Sequence, residues 1–440
     1  MTQSRRADSP DVRRLASSGF ARSGEPVRQR AVREHNLGLA LRLVAAADRP
    51  VSRARIAADT GMTRATASSL VDALLAANLV REVVLPPTAR RGRPATGLVL
   101  AAGGPPGPGG VGVIGGIGVE LNVDYVAMTV VDLAGSVVVH DVVVGDQRGR
   151  PPREVLVGVA SAAHRAITAA ARVGVDVCGM AVAVPGLVDA GAGRLLLAPN
   201  LGWRDVDVVR LLTRGPRLAS LAVSLGNEAD FAALGELSSA APGAPRSFVL
   251  VSGEVGVGAG IVLDGRLFRG ARGWSGEVGH VTVDATGPPC SCGARGCLEL
   301  YAGQEAILRR AGLSGNRATV MGGAPTVQSL VQRARQDDPA VLAALRTAAE
   351  ALGIAVAALL NLLDVGTVVL GGIYAPLAPW LQPVIEEELA ERVLWARLAP
   401  PEVHTSALGP EAAVLGAARS VVAGVVADPA RWLAGRTPAS

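Results

Sequence analysis

Apolar residues recur along this chain with two different periods. Between residues 30 and 75 the period is helical: Leu37, Ala40, Leu41 and Val44 fall at i, i+3, i+4 and i+7, one buried face of an amphipathic helix. After Arg49-Pro50, Ser52 is placed to cap a short helix through Ile56 and Ala57 that stops at Gly61. Thr63 opens a third helix whose apolar face is Ala67, Leu70, Val71 and Leu74. The pattern then turns strand-like at 79–85 and 98–100, on either side of Arg90-Arg91-Gly92-Arg93-Pro94. Beyond a Gly/Pro-rich boundary at 101–110, strands are expected at 111–119, 125–131, 136–144 and 177–184, with a helix near 152–172. Strands at 248–251 and 259–263, helices near 303–311, 326–336 and 339–363, and a strand at 367–370 follow. This order predicts a two-lobed α/β body behind a small helical front domain.

The spacing inside the front domain carries more than its helices do. Ala57, Gly61, Ala67 and Leu70 supply the small residue, the turn glycine and the facing apolar residues of a helix-turn-helix. Arg64, Thr66, Ser68 and Ser69 then lie near the N-terminus of a recognition helix, with Arg53 and Thr63 beside them. The strand pair with Arg91 and Arg93 at its tip forms a wing that can reach phosphate or the minor groove. Charge agrees: residues 1–100 hold 17 Arg against 8 acids, the remainder 26 against 30, and the chain has no Lys. A basic front on an acidic body is expected to meet double-stranded operator DNA, with 28–100 as the winged helix-turn-helix. One helix in one groove rarely suffices, so a homodimer or homotetramer on paired half-sites is expected. Residues 1–27, rich in Arg, Ser, Gly and Pro without periodicity, are expected to be a disordered tail.

Three of the four cysteines fall within eight residues, in Gly-Glu-Val-Gly-His-x9-Cys-x-Cys-x4-Cys. His280, Cys290, Cys292 and Cys297 make a complete Cys3His set for tetrahedral Zn²⁺, leaving no position open, so the metal is expected to be structural. A disulfide would leave one of the three odd. With 49% hydrophobic but only 3% aromatic residues, the cores must be built from Ala, Val and Leu. No run of eighteen apolar residues occurs and the Arg-rich start lacks an apolar segment, so a cytoplasmic protein without membrane contact is expected.

The same metal stretch resembles the signature of the ROK family of repressors and sugar kinases. Val184-Pro185-Gly186-Leu187-Val188-Asp189, Pro199-Asn200-Leu201-Gly202-Trp203 and Gly256-Val257-Gly258-Ala259-Gly260 support it, and the front domain matches the repressor branch. The resemblance implies an actin-like, ribonuclease H-like fold with a sugar cleft between lobe 1 (111–225 plus 410–426) and lobe 2 (226–409), then a tail over 427–440. It also implies that Asn227, Glu228, Glu277, His280 and Glu299, with Asn200, bind a sugar or sugar-phosphate effector. Taken alone, Glu299 could equally cap a helix near Tyr301 and Glu277 could be solvated.

The kinase parts of that family are altered here. Where kinases carry Asp-x-Gly-Gly-Thr, this chain has Glu120-Leu121-Asn122-Val123-Asp124, and Gly115-Gly116 falls too early to replace it. Glu254 stands at the second phosphate loop, and Asn227-Glu228 replaces the Asn-Asp pair. Asp124 and Glu254 are expected to repel phosphate. The expected function is therefore a sugar-sensing transcriptional repressor of carbohydrate metabolism and not an enzyme; a sugar kinase with an added DNA-binding domain is the competing reading. The Gly/Pro linker is expected to be too flexible to push, leaving the spacing of paired recognition helices to couple sugar to DNA.

Overall fold

The computed structural model describes residues 29–84, 96–104, 111–215, 218–241, 243–313 and 324–434. The expected basic tail (1–27), the wing tip with Arg91 and Arg93, and linker residues 105–110 lie outside the described residues.

The front domain is built as its spacing predicts: α1 (Gln29–Ala45), α2 (Arg53–Thr60), α3 (Arg64–Ala76), then β1 (Val80–Val84) and β2 (Thr96–Leu100). Both caps are made. Ser52 Oγ accepts the Arg55 N–H at 3.2 Å and Thr63 Oγ1 accepts the Thr66 N–H at 3.1 Å. Gly61 ends α2 at φ 69°, a left-handed value that favours glycine. Leu37, Leu41, Ile56, Ala67, Leu70 and Leu74 close over one another, and β1 pairs antiparallel with β2.

Lobe 1 runs β3 (Val113–Leu121), β4 (Tyr125–Asp132), β5 (Val137–Val144), α4 (Pro152–Arg172) and β6 (Val175–Val184). A small side sheet follows, β7 (Leu187–Asp189), β8 (Arg194–Ala198) and β9 (Trp203–Val206), then α5 (Val208–Leu212) and β10 (Ala222–Asn227). Its main sheet has the order β10-β6-β3-β4-β5, with β6 parallel to both neighbours and β3, β4 and β5 an antiparallel meander. Every residue of β3 and β4 is buried, because α4 covers one face, α12 the other and the front domain the outer end.

Lobe 2 begins with α6 (Glu228–Ser239), β11 (Phe248–Gly253), β12 (Val257–Leu263) and β13 (Arg266–Leu267). It continues through α7 (Glu299–Ala302), α8 (Gln304–Arg310), α9 (Ala324–Ala334), α10 (Pro339–Leu363), β14 (Thr367–Gly372), α11 (Tyr374–Arg392) and β15 (Glu402–Thr405). The sheet order is β13-β12-β11-β14-β15. The chain returns as α12 (Ala412–Ala427) and α13 (Pro429–Ala434). By length and composition α10 and residues 409–427 could cross a bilayer. Here α10 is instead the spine of the lobe 2 core, and α12 lies between the two sheets.

Close backbone approach makes that middle layer possible. A side chain at Gly118 of β3 would meet the Val414 carbonyl at 2.1 Å, and one at Gly416 of α12 would meet the Phe231 carbonyl of α6 at 1.8 Å. Glycines therefore let α12 rest flat on the lobe 1 sheet and on α6 at once. The Gly116 noted in the sequence has the same task, inside β3 against Val421.

The front domain packs directly on the body, a contact that the sequence did not lead one to expect. Leu37, Leu41 and Val44 of α1 share one apolar cluster with Val113, Ile114 and Leu133 of lobe 1, Leu415, Val422 and Val425 of α12, and Trp432 of α13. Arg42 donates to the Ala427 carbonyl at 2.9 Å, Asn78 to the Val111 carbonyl at 3.0 Å, and the Gly103 N–H to Asp132 at 2.7 Å. The stretch expected as a tail from residue 427 starts with α13, which packs on α1. Ala/Val-rich helices with few aromatics still bury a continuous surface here because both partners are small and approach closely.

Candidate sensor cleft, metal cluster and DNA-facing helix

Glu277 precedes a single 3₁₀ turn, Val278–His280, which puts His280 at the rim of the loop holding the cysteines. Backbone bonds from Cys290 N–H to the Ala294 carbonyl (2.8 Å) and from Gly293 N–H to the Cys290 carbonyl (3.0 Å) fold that loop tightly. One ligand atom from each of His280, Cys290, Cys292 and Cys297 lies within 4.8 Å of every other. Cys292 and Cys297 are 3.6 Å apart at sulfur, and His280 Nδ1 is 3.8 Å from Cys290 Sγ. Those edges suit a tetrahedron with metal–sulfur bonds of about 2.3 Å. Burial pushes the Cys290 thiol up to about 12, whereas the Ala294 N–H holds Cys292 down. The four residues can hold a metal ion. Cys178 instead packs against the core shared with the front domain.

The cleft wall stands on this loop. Glu299, the first residue of α7, has Oε1 3.0 Å from Cys290 Sγ and 3.6 Å from His280 Nδ1. Across Gly256 it faces Asn200 of lobe 1: a Cβ at Gly256 would meet Asn200 Nδ2 at 3.5 Å and Glu299 Oε2 at 3.6 Å. Burial raises the Glu277 carboxyl, with His280 opposing and Glu299 adding to the shift. The lobes are also latched at the mouth, where Trp274 Nε1 donates to the Val188 carbonyl at 3.2 Å. Asn227 caps α6: its Oδ1 accepts the Ala229 N–H at 2.8 Å and its Nδ2 donates to the Gly186 carbonyl at 3.1 Å. It positions the Pro185-Gly186 loop and retains only spare hydrogen-bonding capacity for a ligand.

Behind Glu228, where the sequence comparison with kinases placed the phosphates, lies a space of about 10 Å³. Glu120, Glu228 and Glu254 line it, with Ser252, Gly372, Gly409, Pro410 and, at the start of α12, Ala412 and Ala413. Glu120 is 2% exposed and accepts the Tyr125 hydroxyl at 2.6 Å. Its Oε2 and the Oε2 of Glu228 are buried without a hydrogen-bond partner. Burial raises Glu120 to about 7, opposed by the Tyr125 hydroxyl and the Val414 N–H. Burial, with Glu120 and Glu277 adding, raises Glu228 to about 8, and Glu254 is pushed well above the carboxylate range. Asp124, expected to repel phosphate, instead forms a two-pronged ion pair with Arg148. The uncompensated acids are the three glutamates. The sequence placed Glu120 in the altered phosphate turn but gave the repulsive role to Asp124; an acid inside the otherwise apolar run Val113–Leu121 was the signal for Glu120.

On the front domain, Thr63, Arg64, Thr66 and Ser69 are exposed along the N-terminal half of α3. Arg53 is not free to join them. It bridges Asp72 at 2.6 Å and Glu82 at 3.0 Å and donates to Ser68 Oγ at 3.0 Å, tying α2 to α3 and β1.

Comparison with known proteins agrees with this architecture. Residues 116–423 match the ROK family and residues 39–83 an IclR helix-turn-helix domain. The chain belongs to the ROK family. The xylose repressor of Bacillus spizizenii is 28% identical over 378 residues, covering 85% of this chain and 91% of the relative. A crystal structure of a ROK family transcriptional regulator, a homologue of the E. coli MLC protein, aligns with TM-score 0.71 and 25% identity, covering 90% of this chain and 97% of the other. A ROK glucokinase from Streptomyces griseus in complex with glucose and AMPPNP aligns with TM-score 0.58 and 27% identity over 70% of this chain and 98% of its own. In this chain the winged helix-turn-helix precedes a two-lobed actin-like body.

Proposed function

We propose that this ROK protein is a sugar-responsive, DNA-binding transcriptional repressor whose kinase-like body senses a sugar without phosphorylating it. The observation that carries it is the single apolar core joining the helix-turn-helix to lobe 1 and α12, which places a DNA reader and an interlobe cleft in one folded unit. Relatives named as xylose repressors support a pentose or hexose effector in a circuit of carbohydrate metabolism. Glu277, His280, Glu299, Asn200 and Glu228 hold the sugar, since carboxylates take vicinal hydroxyls as paired donors. Thr63, Arg64, Thr66 and Ser69 meet operator DNA in the major groove, with Arg91 and Arg93 reaching the backbone or minor groove. The protein acts in the cytoplasm as a homodimer or homotetramer on paired half-sites.

The metal is a structural Zn²⁺ held by His280, Cys290, Cys292 and Cys297; it braces the wall that carries Glu277 and Glu299. Purified protein should contain about one zinc per chain by elemental analysis, and Cys297→Ser should lower both the zinc content and the Tm. Full occupancy in that variant would remove the assignment.

The function is tested with full-length protein. Selection from random double-stranded DNA should yield a two-fold symmetric operator, and D-xylose or another aldose should change the operator affinity. A coupled ADP-release assay should show no sugar-dependent turnover. Turnover near the usual kinase range of about 1–100 s⁻¹ would restore the kinase reading.

A further inference from the structure

We propose that Glu120, Glu228 and Glu254 form an anion-excluding wall that restricts the sensor to uncharged sugars and bars sugar phosphates and nucleotides. The proposal rests on the sensor reading above and narrows its ligand class from "sugar or sugar phosphate" to free sugar.

Glu228 lines the inner space together with Glu120 and Glu254. It also feels the charge of Glu277 of the sugar wall. A substituent that extends from a bound sugar past Glu228 must therefore enter the space lined by Glu120 and Glu254. That space is about 10 Å³, near the minimum for one water and far below a phosphoryl group. No basic side chain lines it.

The inner space also lacks the usual attraction for phosphate. Ala412 and Ala413 bring the start of α12 to it, and a helix start offers unpaired N–H groups to anions. Here the Val414 N–H points to the chain's own Glu120 carboxylate. The protein's own carboxyl group fills the place where a ligand's anion would sit. Two carboxylate oxygens, on Glu120 and Glu228, remain buried and unpartnered in the same place. Such groups await a donor: a sugar hydroxyl at Glu228 is a good partner, and a phosphate oxygen is a repulsive one.

Burial keeps Glu228 and Glu254 largely protonated at neutral pH, and this does not reverse the preference. A neutral carboxyl can donate one hydrogen bond to phosphate, but the dianion must be stripped of water to reach it without any cation to replace that water. Asp124 is close enough to raise Glu254 and adds no cation, because its partner Arg148 is already engaged.

Isothermal titration of the full chain with D-xylose, D-glucose and D-fructose, each beside its terminal phosphate ester, tests the inference. A free sugar should bind, and its ester should bind at least about tenfold more weakly. Glu254→Gln and Glu120→Gln should each narrow that ratio, the second variant standing in if the first misfolds. Wild-type protein binding an ester as tightly as the free sugar, or more tightly, overturns the inference and spares the sensor reading. If neither form of any sugar binds, the sensor reading falls and this inference falls with it.

Discussion

Arg53 and Arg64 lie eleven positions apart in sequence, both are basic, and the structure gives them opposite situations. Arg53 holds Asp72, Glu82 and Ser68, whereas Arg64 is exposed with no ion pair among the described residues. Arg64→Ala should weaken specific operator binding by about 1–3 kcal/mol, with a much smaller loss on random DNA, if Arg64 reads a base edge. Arg53→Ala should lower the Tm of the front domain, because two carboxylates lose their partner. Both are read by fluorescence anisotropy beside thermal melts; equal loss on random and specific DNA would make Arg64 a phosphate contact. The glutamates give a second residue-scale consequence. Glu120 takes up its proton more readily in the folded protein than unfolded, since burial lifts it from 4.5 to about 7. Its stabilising protonation is complete below the unfolded value and is lost as pH rises through the folded one. Facing it are Glu228 of α6, Glu254 beside β11, Tyr125 of β4 and the α12 start, none of them cationic. Between pH 5 and 8 the stability of Glu120→Gln should improve relative to wild type by on the order of 2 kcal/mol, after discounting for water access. Parallel pH profiles in chemical denaturation would refute that.

At the scale of elements, legibility followed the kind of signal each segment carries. The helix-turn-helix was readable because its caps, turn glycine and apolar period act locally, and Ser52, Gly61 and Thr63 do what their positions predict. The Cys3His loop was readable because metal-ligand chemistry constrains spacing. α11 was not expected from the sequence, because Pro379 and Pro383 obscure the four-residue apolar run Leu377, Leu381, Ile385 and Leu389 whose packing holds it. The packing of the front domain on the body was hidden for a similar reason: a Gly/Pro run says nothing about the surfaces on either side of it. Those surfaces make α12 the element that joins the front domain, the lobe 1 sheet and α6. It lies on β3, on α6 and, with α13, on α1. Because Asn227 and Glu228 open α6, a shift of α6 on sugar binding has a packed route through α12 to the DNA-binding domain. Truncation after Asp428, which removes α13, should leave sugar binding intact by calorimetry. It should cut the sugar-dependent change in operator affinity from an ordinary coupling of about 5–150-fold to about twofold or less. An unchanged response would return the coupling to subunit spacing alone.

Over the whole molecule, the sugar can act on DNA only through a difference between two states. The structure has the lobes in contact, with Asn200 and Glu299 facing each other across Gly256 and Trp274 bonded to the Val188 carbonyl. A sugar gripped from both lobes favours this arrangement over an open one, and the free energy of that preference is all it can contribute to DNA affinity. Linkage then makes a strict demand. If sugar changes the operator Kd by some factor, operator DNA must change the sugar Kd by the same factor. Titrating sugar into free and DNA-bound protein, and DNA into free and sugar-bound protein, measures all four constants. The two ratios should agree, and both should fall to one in Glu277→Gln, since a neutral amide accepts fewer hydroxyl donors than a carboxylate. The operator affinity of that variant without sugar should stay near wild type, because Glu277 lies in lobe 2, outside the apolar core that joins the front domain to lobe 1. Loss of DNA binding in the absence of sugar, or a full response despite the substitution, would place the sensor somewhere other than this cleft.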